Sequence, residues 1–256
     1  MRTQEKHATR FRSIQTSLLF VIVPAVIISM AVLSLMGYLS SKAIIQTSAG
    51  NEMSQCLSVA MGSIEMSLSN NRMVAETMAR GVEAIQRQAV KGDQTASDWD
   101  AAAYQEILTS FVGSNPETFG GGIWFEPYQY RPEQRYFSPY CMRQNGAVTY
   151  VDNYSLGEGV YYTDQDWYTN AANTTQKSVW SAPYYDEFAQ ISMVTSSAPI
   201  YDETGRLLGV ATADIDLTQM QQMVLSLDVV ANGRAFLIDD TGVYIADEDS
   251  EKLSLI

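Results

Sequence analysis

YYTDQDWYTN (161–170), VWSAPYYDE (179–187) and SSAPIYDETGRLLGVATADIDL (196–217) are the segments on which the reading of this chain turns. The third reads as a β-hairpin. An apolar run leads to a turn at Glu203-Thr204-Gly205, and a second apolar run ends in Asp214. A carboxylate at the end of an apolar strand has to face water, a partner or a ligand, because burying it unpaired is too costly. The other two segments set Trp167 and Tyr168, then Tyr184 and Asp186, at intervals that one pocket could gather. Aromatic faces beside carboxylates suit a small organic cation: the rings attract the charge and exclude water, and the acids pair with it.

Outward from this region the chain reads as an antiparallel sheet with helices before and after it. Gly120–Phe125, Tyr136–Met142 and Ala147–Asp152 are expected strands, the last two joined at Gln144-Asn145-Gly146. Ser178–Tyr185, Ile191–Tyr201 and Leu207–Ile215 would complete five or six strands, and Leu217–Leu227 has an amphipathic helical pattern. A helix over Trp99–Val112, with Ala103, Ile107, Leu108 and Phe111 on one face, is expected to follow a cap in Lys91–Asp98. Gly233–Ile245 reads as a fresh hairpin turning at Asp239-Asp240-Thr241-Gly242. It opens a second sheet domain that the sequence does not complete, so the chain reads as the front of a longer protein.

The N-terminal third has a different character. Leu18–Leu39 is apolar and uncharged over 22 residues, enough for a bilayer span of about 20 residues; the apolar core of a cleavable signal is usually shorter. Four basic residues and one acid precede it, which predicts a cytoplasmic N-terminus and an inner-membrane protein with everything after Ser40 outside. Ser41–Lys91 has no proline and is rich in helix formers. Leu57, Met61, Ile64, Leu68, Asn71, Ala75, Met78, Val82, Ile85 and Ala89 alternate steps of four and three. That seam fits a stalk pairing with a second copy, Asn71 fixing register, and equally a helix packed on its own domain. The organisation expected is a basic tail (1–17), a span (18–39), a stalk helix (40–90), a sheet module (91–227) and the start of a second module (228–256).

Composition and motifs exclude several classes. A formal net charge of -13 over 256 residues argues against nucleic acid as a partner. Cys56 and Cys141 make no disulfide framework and, with His7 in the basic tail, no metal site. The Gly120-Gly121-Gly122 run lacks the Gly-Lys-Ser/Thr ending of a phosphate loop, and Asp247-Glu248-Asp249 lacks the spacing of a calcium loop. No cofactor is called for. Asp164 and Asp166, read as strand neighbours, would point the same way instead of facing each other across a sugar as a glycosidase pair must.

A span, a long helix, an antiparallel sheet and the series DWY…W…PYYD…PIYD..G.LLGVA..DI resemble the double-Cache family. These are PAS-like extracytoplasmic sensors of bacterial chemoreceptors and of membrane-bound kinases, phosphatases and diguanylate cyclases. The resemblance implies an α+β fold: a transmembrane and stalk helix, a membrane-distal module with the ligand pocket, and a membrane-proximal module that is incomplete here. It implies a non-enzymatic, homodimeric sensor of an amine or amino acid. It also assigns roles. An Arg-x-Trp-Tyr block would hold a ligand carboxylate, and a Tyr-x-Asp block with a later Asp its ammonium. Trp167, Tyr168, Tyr184, Asp186 and Asp214 match, and Tyr161 joins the candidate set. The arginine position is Gln165, flanked by Asp164 and Asp166, which offers neither the charge nor the bidentate fork of arginine.

Overall fold

The computed structural model describes residues 14–91, 101–152, 154, 159–227, 233–239 and 241–249. The basic tail before Ser13, the expected cap within 92–98, Trp99 and Asp240 lie outside them. By its contacts the chain divides into two units, residues 1–55 and 56–256. One helix, α1 (Ile14–Lys91), covers both the expected span and the expected stalk.

In the first unit the apolar side chains of Leu18–Leu39 are exposed, Val21 at 70% and Leu33 at 68%. An 18-residue window reaches a mean hydropathy of 2.8 with none of it buried. A helix apolar all round and uncovered by protein is what a bilayer requires and water disfavours.

In the second unit the same helix is amphipathic. Asn71, Ala75, Met78 and Val82 are fully buried, packed with Tyr104, Leu108 and Val112 of α2 (Ala101–Ser114) against one face of the sheet. From Ile64 to Val82 the seam therefore closes inside its own module. Asn71 does not set the register of a pairing stalk: it donates to the Ser67 carbonyl and accepts from the Thr118 hydroxyl at 2.9 Å, so its amide is satisfied locally, as burial demands. Leu57 and Met61, at the other end of the seam, are exposed. Helix α2 ends two residues later than expected, and the first two residues of the expected helix lie outside the described ones. Its buried residues are Tyr104, Leu108 and Val112, a strict i, i+4, i+8 row, with Ile107 and Phe111 half-buried beside them. Arg143 closes its C-terminal end, donating to the carbonyls of Val112, Gly113 and Asn115, which the helix itself cannot satisfy.

The sheet has seven strands: β1 (Gly120–Phe125), β2 (Tyr140–Gln144), β3 (Ala147–Val151), β4 (Val179–Trp180), β5 (Tyr184–Asp186), β6 (Ile191–Tyr201) and β7 (Leu207–Asp216). Their order is β3-β2-β1-β7-β6-β4, with β5 also on β6, every pair antiparallel. The β2–β3 turn has positive φ at both Asn145 and Gly146, the twist that suits a two-residue hairpin. Two expected strands are corrected. Ser178–Tyr185 is split into β4 and β5 around Pro183, which has no N–H for a ladder. Tyr136–Met142 is regular strand only from Tyr140, after Pro139, although the Phe137 and Pro139 carbonyls still accept from β1. A one-turn 3-10 helix (Tyr162–Asp164) and α3 (Asp166–Ala172) cover the second face of the sheet. Asp164 and Asp166 thus sit on helical turns, exposed, and not on a strand.

Asp216 caps the last helix, α4 (Leu217–Leu225), accepting from the Thr218 N–H at 2.7 Å. Beyond it β8 (Leu237–Ile238) pairs with β9 (Tyr244–Ala246). Asp239 organises their turn by accepting from the Thr241 hydroxyl and from the Thr241 and Val243 N–H groups, and those bonds, the hydroxyl's first, hold its carboxyl below the usual range. Ile245 and Leu237 pack beside Leu68 and Val194, so this hairpin belongs to the second unit.

Candidate functional site

The second face of the sheet is built around a glycine-lined gap. Antiparallel register places Asp214 between Thr195 on β6 and Gly120 on β1. A Cβ on Gly120 would stand 2.1 Å from the Tyr140 hydroxyl, and one on Gly122 2.7 Å from the Trp124 indole. These two glycines let the phenol and the indole lie flat on the strand. Tyr140 then donates to Asp214 Oδ2 at 2.7 Å, and Trp124 Nε1 donates to Thr212 Oγ1 at 2.8 Å. On the other side Thr195 donates to Asp214 Oδ1 at 2.8 Å and shares a 2.8 Å hydrogen bond with the Tyr184 hydroxyl.

Asp186 reaches the same space from β5. Its Oδ1 accepts from the Tyr154 hydroxyl and, at 2.7 Å, from the Ala189 N–H. The turn that brings Ala189 back has Gln190 at positive φ. Trp167 closes the space from α3, its ring 4.7 Å from that of Trp124. Trp124, Tyr140, Tyr154, Trp167, Tyr184, Asp186, Met193, Thr195, Thr212 and Asp214 line a tight cavity of about 10 Å³, room for about one water. Asp186 is 6% exposed and Asp214 3%. Among the described residues no lysine, arginine or histidine lines the cavity.

Burial dominates the electrostatics. It pushes the Asp214 carboxyl up to about 7; the hydrogen bonds from Tyr140 and Thr195 oppose the rise, and the Asp186 charge adds to it. Burial, and after it the negative charge of the two aspartates, also holds Tyr140, Tyr154 and Tyr184 well above the ordinary phenol value. These phenols stay protonated.

Of the residues singled out from sequence, Trp167, Tyr184, Asp186 and Asp214 meet in the cavity. Three others do not line it. Tyr168 follows Trp167 on a helix, where neighbours diverge by about 100°, and its hydroxyl donates to Glu126 at 2.7 Å. Gln165 precedes α3 and turns its amide to the Tyr161 carbonyl. Tyr161 is 39% exposed and stacks on Tyr136. Sequence reasoning missed Trp124, Tyr140, Tyr154, Thr195 and Thr212. Stepping back by two along the strand from Asp214 reaches Thr212, and the hairpin turn itself sets Thr195 opposite Asp214; Tyr140 and Tyr154 carry no such local signal.

Residues 104–222 match the family described as methyl-accepting chemotaxis protein-like, first PDC sensor domain. The methyl-accepting chemotaxis protein McpA of Pseudomonas putida is 25% identical over 207 residues, 78% of this chain and 31% of its own length. The extracellular domain of the histidine kinase soHK1S-Z6 superposes with a TM-score of 0.56 at 25% identity, covering 84% of this chain and 75% of that one. The sensory domain of the Campylobacter jejuni chemoreceptor Tlp3, with isoleucine bound, gives 0.58 at 17% identity, covering 83% and 76%. The chain spans between 13% and 31% of the length of the curated relatives it matches. A seven-stranded antiparallel sheet crossed by a long N-terminal helix, with an aromatic and acidic cavity on its far face, thus goes with the sequence match: residues 104–222 carry a PDC, or Cache, sensor domain like the first one of methyl-accepting chemotaxis proteins.

Proposed function

We propose that this chain is the extracytoplasmic input of a membrane-bound signal transducer, and that it senses a small cation bearing an ammonium group. The observation that carries this reading is the pairing of two buried carboxylates inside five aromatic rings, with no cation in the lining. Asp186 and Asp214 would hold the nitrogen, while Trp124, Trp167 and Tyr154 shed its water. The module would bind its ligand without turning it over. Output through methyl-accepting signalling fits the relatives named McpA and McpC; output through a histidine kinase fits the soHK1S-Z6 likeness, and a cyclase or phosphatase is compatible with the same front end.

A zwitterionic amino acid is the second reading, favoured by the isoleucine that the Tlp3 domain binds. Calorimetry on the 256-residue chain separates the two with 2-methylbutylamine against isoleucine, a pair that differs only in the carboxylate. The amine is expected to bind more tightly, because the cavity lining offers a carboxylate no cation and its two aspartates would repel it. Tighter binding of isoleucine would reverse the preference.

In this reading 1–17 is a cytoplasmic tail, 18–39 spans the membrane, 40–90 is a stalk that pairs with a second copy through its exposed end, 91–227 is the distal module and 228–256 begins the proximal one. Orientation is testable at the β2–β3 turn. Gln144→Cys, in a Cys56→Ser background, should react with a membrane-impermeant maleimide on intact cells. Reaction only after lysis would place the module inside.

A further inference from the structure

Two carboxylates closed into one cavity must dispose of their charge before any ligand arrives. Asp186 is held by Tyr154 and the Ala189 N–H, and Asp214 by Tyr140 and Thr195. All four donors are neutral. The groups facing the pair come from every element around it: Tyr140 from β2, Tyr154 from the segment after β3, Trp124 and Thr212 from β1 and β7, Trp167 from α3, Tyr184 from β5 and Thr195 from β6. None brings a positive charge. Two anions sharing such a space are disfavoured, and the usual resolution is that one of them takes up a proton.

The hydroxyl arrangement can accommodate that proton. Thr195 lies between the Tyr184 hydroxyl and Asp214 Oδ1, at 2.8 Å from each. With Asp214 ionised, the chain of donors runs from Tyr184 through Thr195 to the carboxylate. With Asp214 protonated at Oδ1 it runs the other way, since a threonine hydroxyl both donates and accepts. No heavy atom has to move between the two states.

We infer, building on the amine reading above, that the ligand-free site holds one proton on the Asp186–Asp214 pair and that an arriving ammonium cation displaces it to solvent. The net positive charge in the cavity is then the same before and after binding, one H⁺ exchanged for one ligand cation. The sensor would accordingly respond to ligand and to acidity together, the acid-side loss of affinity being a property of the pocket and not of the ligand. The upward displacement of the Asp214 carboxyl by burial accords with this geometry.

The test has a ligand-free arm and a binding arm, both on the 256-residue chain in lipid nanodiscs. In the first, infrared spectra between pH 5 and pH 8 should contain a carboxylic-acid carbonyl band that disappears near neutrality in the wild type and is missing in Asp214→Asn. Melting temperature gives a second readout. A carboxyl raised in the folded state costs stability as pH climbs from the unfolded value near 4 toward the folded one. The wild type should therefore lose melting temperature across that window relative to Asp214→Asn. In the second arm, methylamine and tetramethylammonium are titrated by calorimetry in buffers of different ionisation enthalpy. About one proton should be released per cation at pH 5.5 and none at pH 8.5, with affinity tightening about tenfold per pH unit below neutrality. A missing band with both aspartates ionised at pH 5.5, or binding with no proton released, overturns the exchange and leaves the amine reading standing. A band present with neither cation binding defeats the amine reading, and the exchange falls with it.

Discussion

Asp186→Ala should weaken 2-methylbutylamine binding by roughly tenfold to more than a hundredfold. The range follows from a charge-assisted hydrogen bond worth about 1.5–3 kcal/mol, at about 1.4 kcal/mol per decade. Asp186 is the sharper choice of the two acids because its Oδ1 already takes the Tyr154 hydroxyl and the Ala189 N–H, which leaves Oδ2 to face the cavity. The substitution also removes the acceptor that fixes the turn before Gln190, so a folding defect has to be separated from a binding defect. Asp186→Asn does this: its carbonyl keeps an acceptor for Tyr154 and Ala189 but carries no charge. Comparable losses in the two variants, with melting temperature kept in Asp186→Asn, assign the effect to charge. Full affinity in both would move the ammonium site elsewhere.

The same residues show how far the sequence reaches. Asp214 was legible because an acid closing an apolar strand is anomalous, and the hairpin around it came out with β6 as expected and β7 one residue longer. Asp186 was legible through its spacing to Tyr184, which a strand turns to the same face. The segment around Trp167 carried no helical period long enough to recognise, since α3 is a seven-residue helix. Without knowing that it was a helix, nothing separated Trp167, which enters the cavity, from Tyr168, which leaves it. The stalk seam was ambiguous for a related reason. A heptad and a 3.6-residue period diverge too slowly over the 33 residues from Leu57 to Ala89 to say which surface the stripe meets, and contacts from α2 and the sheet, far along the chain, decide it. Tyr140 was illegible because its role depends on a hole in another strand. The glycine run was read as the opening of a strand and not as a phosphate loop, while its use as the bed for two aromatic side chains exists only once β1 is paired.

That bed makes the largest stability prediction. Gly120→Ala adds one methyl group where a Cβ would sit 2.1 Å from the Tyr140 hydroxyl, 2.7 Å from its Cζ and 3.0 Å from the Cys141 carbonyl. Backbone on one side cannot yield, so Tyr140 must swing away and give up its bond to Asp214. Overpacking costs about 1–3 kcal/mol, and a lost hydrogen bond within a buried pair adds about 1 kcal/mol or more. The expected total is roughly 2–4 kcal/mol, a fall in melting temperature of about 5–15 °C for a domain of this size. A double-mutant cycle with Tyr140→Phe identifies the cause. Phenylalanine alone forfeits the bond to Asp214 but fits the bed, and it also removes the atom in the worst clash with the added methyl. The double variant should therefore lose clearly less than the sum of the two single losses, with a coupling of about 1 kcal/mol or more between residues that touch. Strict additivity in chemical denaturation would mean that the phenol does not rest on Gly120, and the gap beside Asp214 would need another explanation.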